Sequence, residues 1–235
     1  MRLLLLSNST NPGEEYLHYP LGNIKSFLNE FRETIFIPFA AVSIGYDEYY
    51  RKVQERFNEI NIKVHNLADS SDFEHDIRVS DAIVVGGGNT FKLLKLLQEN
   101  NLLGLIRERV VNDKVPYIGW SAGSNLTCPT ISTTNDMPIV EPYDFKGLGL
   151  VPFQINPHYY SVKLDDHGGE TRDDRIQEFL IENKNIYMVG LPEGTMLKVE
   201  NKEISLIGNK KASIFKFGKP VEEYAAGDNL NFLLK

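Results

Sequence analysis

The sequence predicts an α/β protein with a mostly parallel, doubly wound sheet and antiparallel ribbons near its C-terminal end. Short apolar segments alternate with longer amphipathic ones through the first two-thirds of the chain, which is typical of strands alternating with helices. The apolar segments are continuous, as expected for strands covered on both faces. In the last third, four apolar segments follow one another closely, which favours hairpins over crossover helices.

The individual elements follow from these patterns. Strands are predicted at 3–6, 34–39, 62–66, 82–85 and 116–119, and again at 187–191, 196–199, 204–207 and 213–217. Helices are predicted at 48–60, 91–103 and 172–182, the last with Thr171 and Asp174 at capping-box spacing. Residues 124–160 lack strong periodicity, and an irregular region of that length is usually functional.

Size and charge limit the classes of function. The 235 residues fit a single domain covering 1–235, and 42% apolar with 24% charged residues is ordinary for a soluble protein. A net charge of −7 disfavours nucleic-acid binding, because an acidic surface repels phosphates. An anionic substrate would therefore need a local cationic pocket.

The sequence also bears on membranes and redox environment. No apolar run approaches the roughly 20 residues that cross a bilayer, so no membrane association is expected. The leucines at 3–6 are too few for a signal peptide and are interpreted as a strand. Cys128 is the only cysteine, which excludes an intramolecular disulfide and favours the cytoplasm. No feature indicates an obligatory protein partner.

A G-x-S-x-G segment at 119–123 provides the candidate nucleophile, Ser121. It directly follows the predicted strand 116–119, and the motif requires such a strand–turn–helix context. The backbone N–H of Ala122 would lie at the start of the next helix and could donate to an oxyanion. The alternative is a glycine-rich turn in which the serine only caps a helix.

A second glycine-rich segment, GGGNT at 86–90, also follows a predicted strand. Gly88 is the favoured source of a second oxyanion donor, and Asn89 is a candidate substrate contact. The alternative is a helix start capped by Asn89 or Thr90. The segment lacks the G-x-G-x-x-G order and a P-loop lysine, so no nucleotide cofactor is expected.

His158 is the favoured general base, because Pro157 restricts the backbone before it and a histidine can move protons near neutrality. His167 is the competing candidate. The remaining histidines lie in polar surroundings and are expected at the surface; they are His18, His65 and His75. No histidine or carboxylate spacing typical of a metal site occurs, so no metal is expected.

Two acids compete to orient the histidine. Glu193 follows the predicted strand 187–191, and Asp136 lies in the irregular region. Choosing Asp136 gives the serine–acid–histidine order of common α/β-hydrolases. Choosing Glu193 gives an order similar to that of class I glutamine amidotransferases, with serine in place of cysteine. Cys128 lies past the turn and is interpreted as a small buried residue.

Eight segments carry a resemblance to a known family: LLLLSNST (3–10), FIPFA (36–40), IVVGGGNTF (83–91), YIGWSAGSN (117–125), TTNDMPIV (133–140), QINPHY (154–159), GETRDDRI (169–176) and GLPEG (190–194). Together they resemble the peptidase E family, serine peptidases that cleave dipeptides with an N-terminal aspartate. The resemblance implies a glutamine amidotransferase-like fold and metal-independent hydrolysis in the cytoplasm. It implies Ser121 as nucleophile, His158 as base, Glu193 as orienting acid, Gly88 and Ala122 as oxyanion donors, and leaves the role of Asp136 open.

Selection of an aspartyl side chain requires a fixed cation, and Arg172 is the candidate. An arginine at a predicted helix N-terminus faces the positive end of the helix dipole, an unfavourable place unless it serves another purpose. Its planar guanidinium suits bidentate carboxylate binding, and the family motif agrees. The alternatives are Arg175, one turn away, and a merely solvated Arg172. The group that binds the substrate ammonium is not predicted.

Other functions fit the same residues. A related hydrolase, such as a cyanophycinase-like peptidase or an esterase, would share the nucleophile and differ in substrate. A non-catalytic protein that binds a small molecule through the GGGNT segment would leave Ser121 unreactive.

Overall fold

The computed structural model describes residues 1–161 and 168–235, which form two sheets flanked by helices. The strands are β1 (Arg2–Leu6), β2 (Glu33–Ile37), β3 (Lys63–Asn66), β4 (Ile83–Val85), β5 (Tyr117–Trp120), β6 (Gln154–Pro157), β7 (Tyr187–Leu191), β8 (Met196–Glu200), β9 (Glu203–Ile207), β10 (Ala212–Lys216) and β11 (Glu222–Tyr224). The α-helices are α1 (Leu21–Leu28), α2 (Tyr46–Glu59), α3 (Phe73–Val79), α4 (Thr90–Glu99), α5 (Leu102–Val111), α6 (Ala122–Asn125) and α7 (Arg172–Glu182).

The main sheet has seven strands in the order β3-β2-β4-β5-β1-β8-β9. The first five are mutually parallel, whereas β8 runs antiparallel to β1 and forms a hairpin with β9. In the centre of the sheet, Leu4 of β1 lies opposite Ile118 of β5 on one side and Lys198 of β8 on the other. The predicted mostly parallel sheet is confirmed.

Helices cover both faces of this sheet. Because neighbouring strand residues point to opposite faces, Leu3 and Leu5 enter one apolar core while Leu4 and Leu6 enter another. The first core is closed by α3, α4 and α5, and the second by α1 and α2. The doubly wound arrangement is therefore confirmed, and it explains why the β1 sequence is apolar without alternation.

The second sheet has the order β11-β10-β7-β6, with β6 parallel to β7 and the other pairs antiparallel. Ile155 and Val189 on one face join the first core of the main sheet. On the other face, Phe215 packs against Ile176 and Leu180 of α7. The predicted C-terminal antiparallel ribbons are present, but they are divided between the two sheets.

Two predictions about elements were wrong. The helix expected at 91–103 is two helices, because Asn101 adopts a left-handed backbone with φ of +56° and turns the chain between α4 and α5. The region 124–160 contains β6, whose polar side chains are buried and satisfied. Gln154 donates to Thr130 Oγ1 at 2.8 Å, and Asn156 donates to the Thr133 carbonyl at 2.9 Å. None of the helices in the described part of the chain combines the length and apolar character that crossing a bilayer requires.

Candidate active site

Ser121 lies in a sharp turn between β5 and α6, with φ of +52° and ψ of −110°. The turn is tight enough that a Cβ atom on Gly119 would lie 2.4 Å from the carbonyl oxygen of Gly123. A Cβ on Gly123 would in turn lie 2.3 Å from the carbonyl oxygen of Val85. Only glycines allow these approaches. The Ser121 N–H donates to the Leu6 carbonyl at 3.1 Å, which ties the turn to the end of the neighbouring strand β1.

His158 lies directly after β6, and its imidazole lies between Ser121 and Glu193. Its Nε2 is 2.9 Å from Ser121 Oγ, and its Nδ1 is 2.7 Å from Glu193 Oε1. With the Nδ1 proton donated to the carboxylate, Nε2 is left as an acceptor for the serine hydroxyl proton. Three residues that come from separate parts of the chain therefore form one hydrogen-bonded series suited to nucleophilic catalysis.

The backbone of His158 is itself held in a left-handed conformation, with φ of +53°. Its N–H donates to Ser7 Oγ at 2.8 Å, and Ser7 Oγ donates to the Leu191 carbonyl at 2.7 Å. Ser7 is fully buried directly after β1. Ser7 was not predicted from the sequence, although a polar residue at the end of a buried strand is the signal that could have identified it.

Asn8 supports the acid in a similar way. Its Oδ1 accepts a hydrogen bond of 2.8 Å from the N–H of Gly194, next to Glu193. The Tyr19 hydroxyl donates to the Asn8 carbonyl at 2.7 Å. The segment that carries the carboxylate is thus fixed to the carboxyl end of β1.

Two backbone amides near the nucleophile, those of Gly88 and Ala122, have no hydrogen-bond acceptor among residues 1–161 and 168–235. Gly88 has φ of +134°, and a Cβ there would lie 2.2 Å from the Ala40 carbonyl oxygen, so the position requires glycine. The preceding residue, Gly87, lies against Ser121, since a Cβ atom on Gly87 would lie 3.1 Å from Ser121 Cβ. Both amides are therefore available as donors beside the nucleophile.

Asp136, the rival acid, lies at the start of α4 instead of at the imidazole. Its Oδ2 accepts from the N–H and the hydroxyl of Thr90 at 2.7 and 2.6 Å, and from Thr134 Oγ1 at 3.0 Å. Because Glu193 accepts from the Nδ1 side of His158, the structure brings Glu193 and not Asp136 to the base. Asp136 joins the region 124–160 to the helix that follows the GGGNT segment.

Asn89 caps the same helix. Its Oδ1 accepts from the Lys92 N–H at 3.0 Å, and its Nδ2 donates to the Met137 carbonyl at 2.8 Å. The alternative prediction for Asn89, a helix cap, is therefore confirmed, and it accounts for the side chain without a substrate contact.

Arg172, the first residue of α7, contacts the backbone of His158. Its Nη1 donates to the His158 carbonyl at 2.7 Å, and its guanidinium carbon lies 4.4 Å from the centre of the Tyr160 ring. The capping box of Thr171 and Asp174 starts the helix as predicted. Arg172 lines a cavity of about 480 Å³ between α7 and residues 132–136. No carboxylate within the described ranges forms an ion pair with it.

Arg175, the alternative cation, also lines this cavity, but its Nε lies 3.8 Å from Glu170 Oε2. Of the two arginines, Arg172 lies nearer to the base and makes no ion pair with a described carboxylate. It is therefore the better placed of the two to receive an anionic group.

The other candidate residues lie elsewhere. His18, His65 and His75 are exposed, and His167 falls outside the described residues. Cys128 is buried, its Sγ accepts from the Ile155 N–H at 3.2 Å, and burial raises the pKa of its thiol to about 12. In the described ranges, no group of three or more histidine, cysteine, aspartate or glutamate side chains is arranged to hold a metal ion.

Known proteins are similar to this chain in sequence and in fold. The chain is 54% identical to peptidase E of Nostoc sp. over 238 residues, covering 100% of this chain and 97% of that protein. It is 45% identical to peptidase E of Salmonella arizonae, covering 97% and 99%. Among solved structures, a peptidase from an acI-B1 Actinobacterium has a TM-score of 0.70 at 18% identity, covering 97% of this chain and 96% of that one, which shows a shared fold.

The sequence model of peptidase family S51 matches residues 3–207, which include the elbow serine, the bridging histidine and the glutamate. A match over most of the chain, together with relatives of this similarity, assigns the family. The chain belongs to peptidase family S51, a family of peptide hydrolases.

Proposed function

We propose that this protein is a serine dipeptidase that hydrolyses dipeptides with an N-terminal aspartate through an acyl-enzyme. Ser121 is the nucleophile, His158 the general base and Glu193 the orienting acid. The proposal depends chiefly on the bridging imidazole, with 2.9 Å from Nε2 to Ser121 Oγ and 2.7 Å from Nδ1 to Glu193 Oε1. Relatives named peptidase E support the same reaction class.

In the first half-reaction, Ser121 Oγ attacks the peptide carbonyl carbon while His158 Nε2 takes the hydroxyl proton. The carbonyl oxygen becomes an oxyanion, which the amides of Gly88 and Ala122 stabilise. The C–N bond then breaks, and the imidazolium returns its proton to the leaving amine. Glu193 remains ionised and stabilises the imidazolium while it exists.

In the second half-reaction, water replaces the amine. His158 takes a proton from the water as its oxygen attacks the ester carbonyl, and the same two amides hold the second oxyanion. Cleavage of the ester bond returns the proton to Ser121 Oγ and releases free aspartate.

Arg172 supports selection of the aspartyl side chain. A guanidinium bonded to the backbone of His158, without a described carboxylate partner, is suited to pair with a carboxylate whose carbon is three bonds from the scissile carbonyl carbon. The net charge of −7 makes such a local cation necessary, because the rest of the surface repels an anionic substrate.

The cysteine content bears on the compartment in which the enzyme works. A single buried cysteine fits a reducing compartment, so we place the enzyme in the cytoplasm. It acts as one domain of residues 1–235, without metal, nucleic acid, membrane or an obligatory protein partner.

Kinetics on a small panel test the function. We expect turnover of Asp-Leu to exceed that of Asn-Leu, Glu-Leu and N-acetyl-Asp-Leu, since each of the last three alters one recognised group. Ser121→Ala should remove nearly all turnover while the circular dichroism spectrum is retained. Turnover of Asp-Leu by Ser121→Ala at the wild-type rate would refute the nucleophile. Faster hydrolysis of longer peptides, or of dipeptides without an N-terminal aspartate, would refute the assigned substrate.

A further inference from the structure

Tyr49 of α2 links the nucleophile turn to the glycine-rich segment. Its hydroxyl oxygen accepts a hydrogen bond of 2.9 Å from Trp120 Nε1, and the hydroxyl lies 3.0 Å from the carbonyl oxygen of Gly87. Trp120 directly precedes Ser121, and Gly87 directly precedes Gly88. The Tyr49 hydroxyl therefore contacts both the residue before the proposed nucleophile, Ser121, and the residue before the proposed oxyanion donor, Gly88.

The direction of these two hydrogen bonds is fixed. An indole Nε1 can only donate, so the phenolic oxygen accepts from Trp120 and its own proton is directed to Gly87. Burial raises the pKa of Tyr49 to about 12, so the hydroxyl keeps its proton at every pH at which a histidine base works. Tyr49 is thus a permanent donor to the Gly87 carbonyl.

The Gly87 carbonyl and the Gly88 N–H belong to one planar peptide unit. The described peptide bonds are all trans, so the oxygen and the N–H of this unit point in opposite directions. Two adjacent glycines leave that plane free to rotate in the absence of a restraint. A hydrogen bond that holds the oxygen therefore also aims the N–H, and it polarises the N–H as a donor.

We propose that Tyr49 is a positioning residue for the oxyanion hole, which fixes the Gly87–Gly88 peptide so that the Gly88 N–H faces the nucleophile. The inference rests on the acyl-transfer function proposed above. The packing is specific, because a Cβ on Gly86 would lie 2.6 Å from the Tyr49 hydroxyl oxygen, and the Phe36 ring centre lies 5.1 Å from that of Tyr49. The ring fills its site independently of the hydroxyl.

Tyr49→Phe tests the role, because it removes the hydroxyl and keeps the ring. Tyr50→Phe is a matched control on the same helix: the Tyr50 hydroxyl donates to the Val64 carbonyl at 3.0 Å and accepts from Gln54 Nε2, far from the site. Each variant loses one hydroxyl that both donates to a backbone carbonyl and accepts from a side-chain N–H. The hydrogen bonds are matched in kind but Tyr50 is less buried than Tyr49, so urea unfolding of both variants measures the purely structural effect separately from the rates.

Two rates are measured in each variant: phosphonylation of Ser121 by a fluorophosphonate, and kcat for Asp-Leu. Both reactions develop negative charge on an oxygen beside Ser121. We expect Tyr49→Phe to lower both rates by about 10- to 100-fold, somewhat less than direct removal of an oxyanion donor. KM and the decline of kcat/KM on the acid side of the pH profile should stay unchanged in Tyr49→Phe. Tyr50→Phe should match the wild type in both rates.

Rates for folded Tyr49→Phe within about twofold of Tyr50→Phe would overturn the proposal, as would a loss confined to KM. If Tyr49→Phe does not fold, Tyr49→Met decides: it also lacks the hydroxyl and fills the site with a flexible apolar side chain, and wild-type rates would again overturn the proposal. If the wild-type protein is phosphonylated but cleaves no dipeptide, the assigned substrate is refuted. The phosphonylation rates of the variants would then still test the role of Tyr49.

Discussion

The backbone N–H of His158 donates to the hydroxyl of Ser7 at 2.8 Å, across 151 positions of sequence. The same hydroxyl donates to the Leu191 carbonyl at 2.7 Å, so Ser7 fixes the residue that carries the base to the strand that leads to Glu193. Since His158 has an unfavourable left-handed backbone, this bridge holds the imidazole in its working position.

Ser7→Ala should therefore lower kcat for Asp-Leu by about tenfold with little change in KM, because a small displacement of a catalytic group is costly. It should also lower the free energy of unfolding by about 1–3 kcal/mol, since a buried N–H and a buried carbonyl lose their partner. Steady-state kinetics and urea unfolding measure the two effects. Ser80→Ala, which removes a hydroxyl that donates to the Ile77 carbonyl at 3.0 Å, is the control and should retain kcat. Equal kcat in both variants would show that Ser7 has no positioning role.

Glu193→Gln and Asp136→Asn should have different effects. Glu193→Gln removes the negative charge opposite the imidazolium and should lower kcat by about 100-fold or more. Asp136→Asn weakens the cap of α4 and should lower the free energy of unfolding by about 0.5–2 kcal/mol, while fluorophosphonate labelling of Ser121 stays much closer to wild type. The reverse pattern in labelling rates would identify Asp136 as the catalytic acid.

Arg172→Ala separates two roles, because this side chain donates to the His158 carbonyl and also faces the cavity. If it binds the substrate carboxylate, kcat/KM for Asp-Leu should fall by about 10-fold or more relative to Ala-Leu. If it only supports the base, both substrates should lose the same factor. Arg175→Ala is the control, since that guanidinium lies near Glu170. An unchanged preference for Asp-Leu in Arg172→Ala would reject the specificity role.

Ser121→Gly should be more stable than Ser121→Ala by about 1–2 kcal/mol, although both are inactive. A side chain at φ of +52° and ψ of −110° strains the backbone, and glycine removes that strain. Thermal or urea unfolding of the two variants measures the difference. A more stable alanine variant would mean that the turn stores no strain.

Cys128 should resist iodoacetamide at pH 8 in the folded protein and react after denaturation, with Cys128→Ala as the unlabelled control. Burial raises the pKa of this thiol to about 12, against about 8.5 in an unfolded chain. The folded state therefore keeps the thiol neutral. The resulting stabilisation is complete below about pH 8.5 and is lost as the pH rises towards 12. Native labelling at pH 8 would show an exposed thiolate.

Local sequence was sufficient for elements with continuous apolar character, such as β1 and β5, because burial on both faces leaves no other pattern. It was insufficient for β6, where Gln154 and Asn156 are buried through hydrogen bonds to distant hydroxyl and carbonyl groups. The break at Asn101 was also missed, since asparagine is only one of several residues that adopt a left-handed turn.

The same distinction applies to the site. The sharp turn at Ser121 could be predicted because its turn chemistry is local, and the motif resemblance pointed to His158 and Glu193 as its neighbours. The contacts of Ser7 and Tyr49 were not predicted, because they join residues that lie 151 and 71 positions apart in the sequence. No local pattern distinguishes such a hydroxyl from any other buried one.

The nucleophile follows a strand of the main sheet, whereas the histidine and the glutamate follow β6 and β7 of the second sheet. Catalytic competence is consequently a property of the seam between two sheets, which the hydrogen bonds of Ser7 join. A slight sliding of one layer over the other would part the imidazole from the serine while every strand stayed paired. Gentle denaturation should therefore silence the enzyme before its circular dichroism changes.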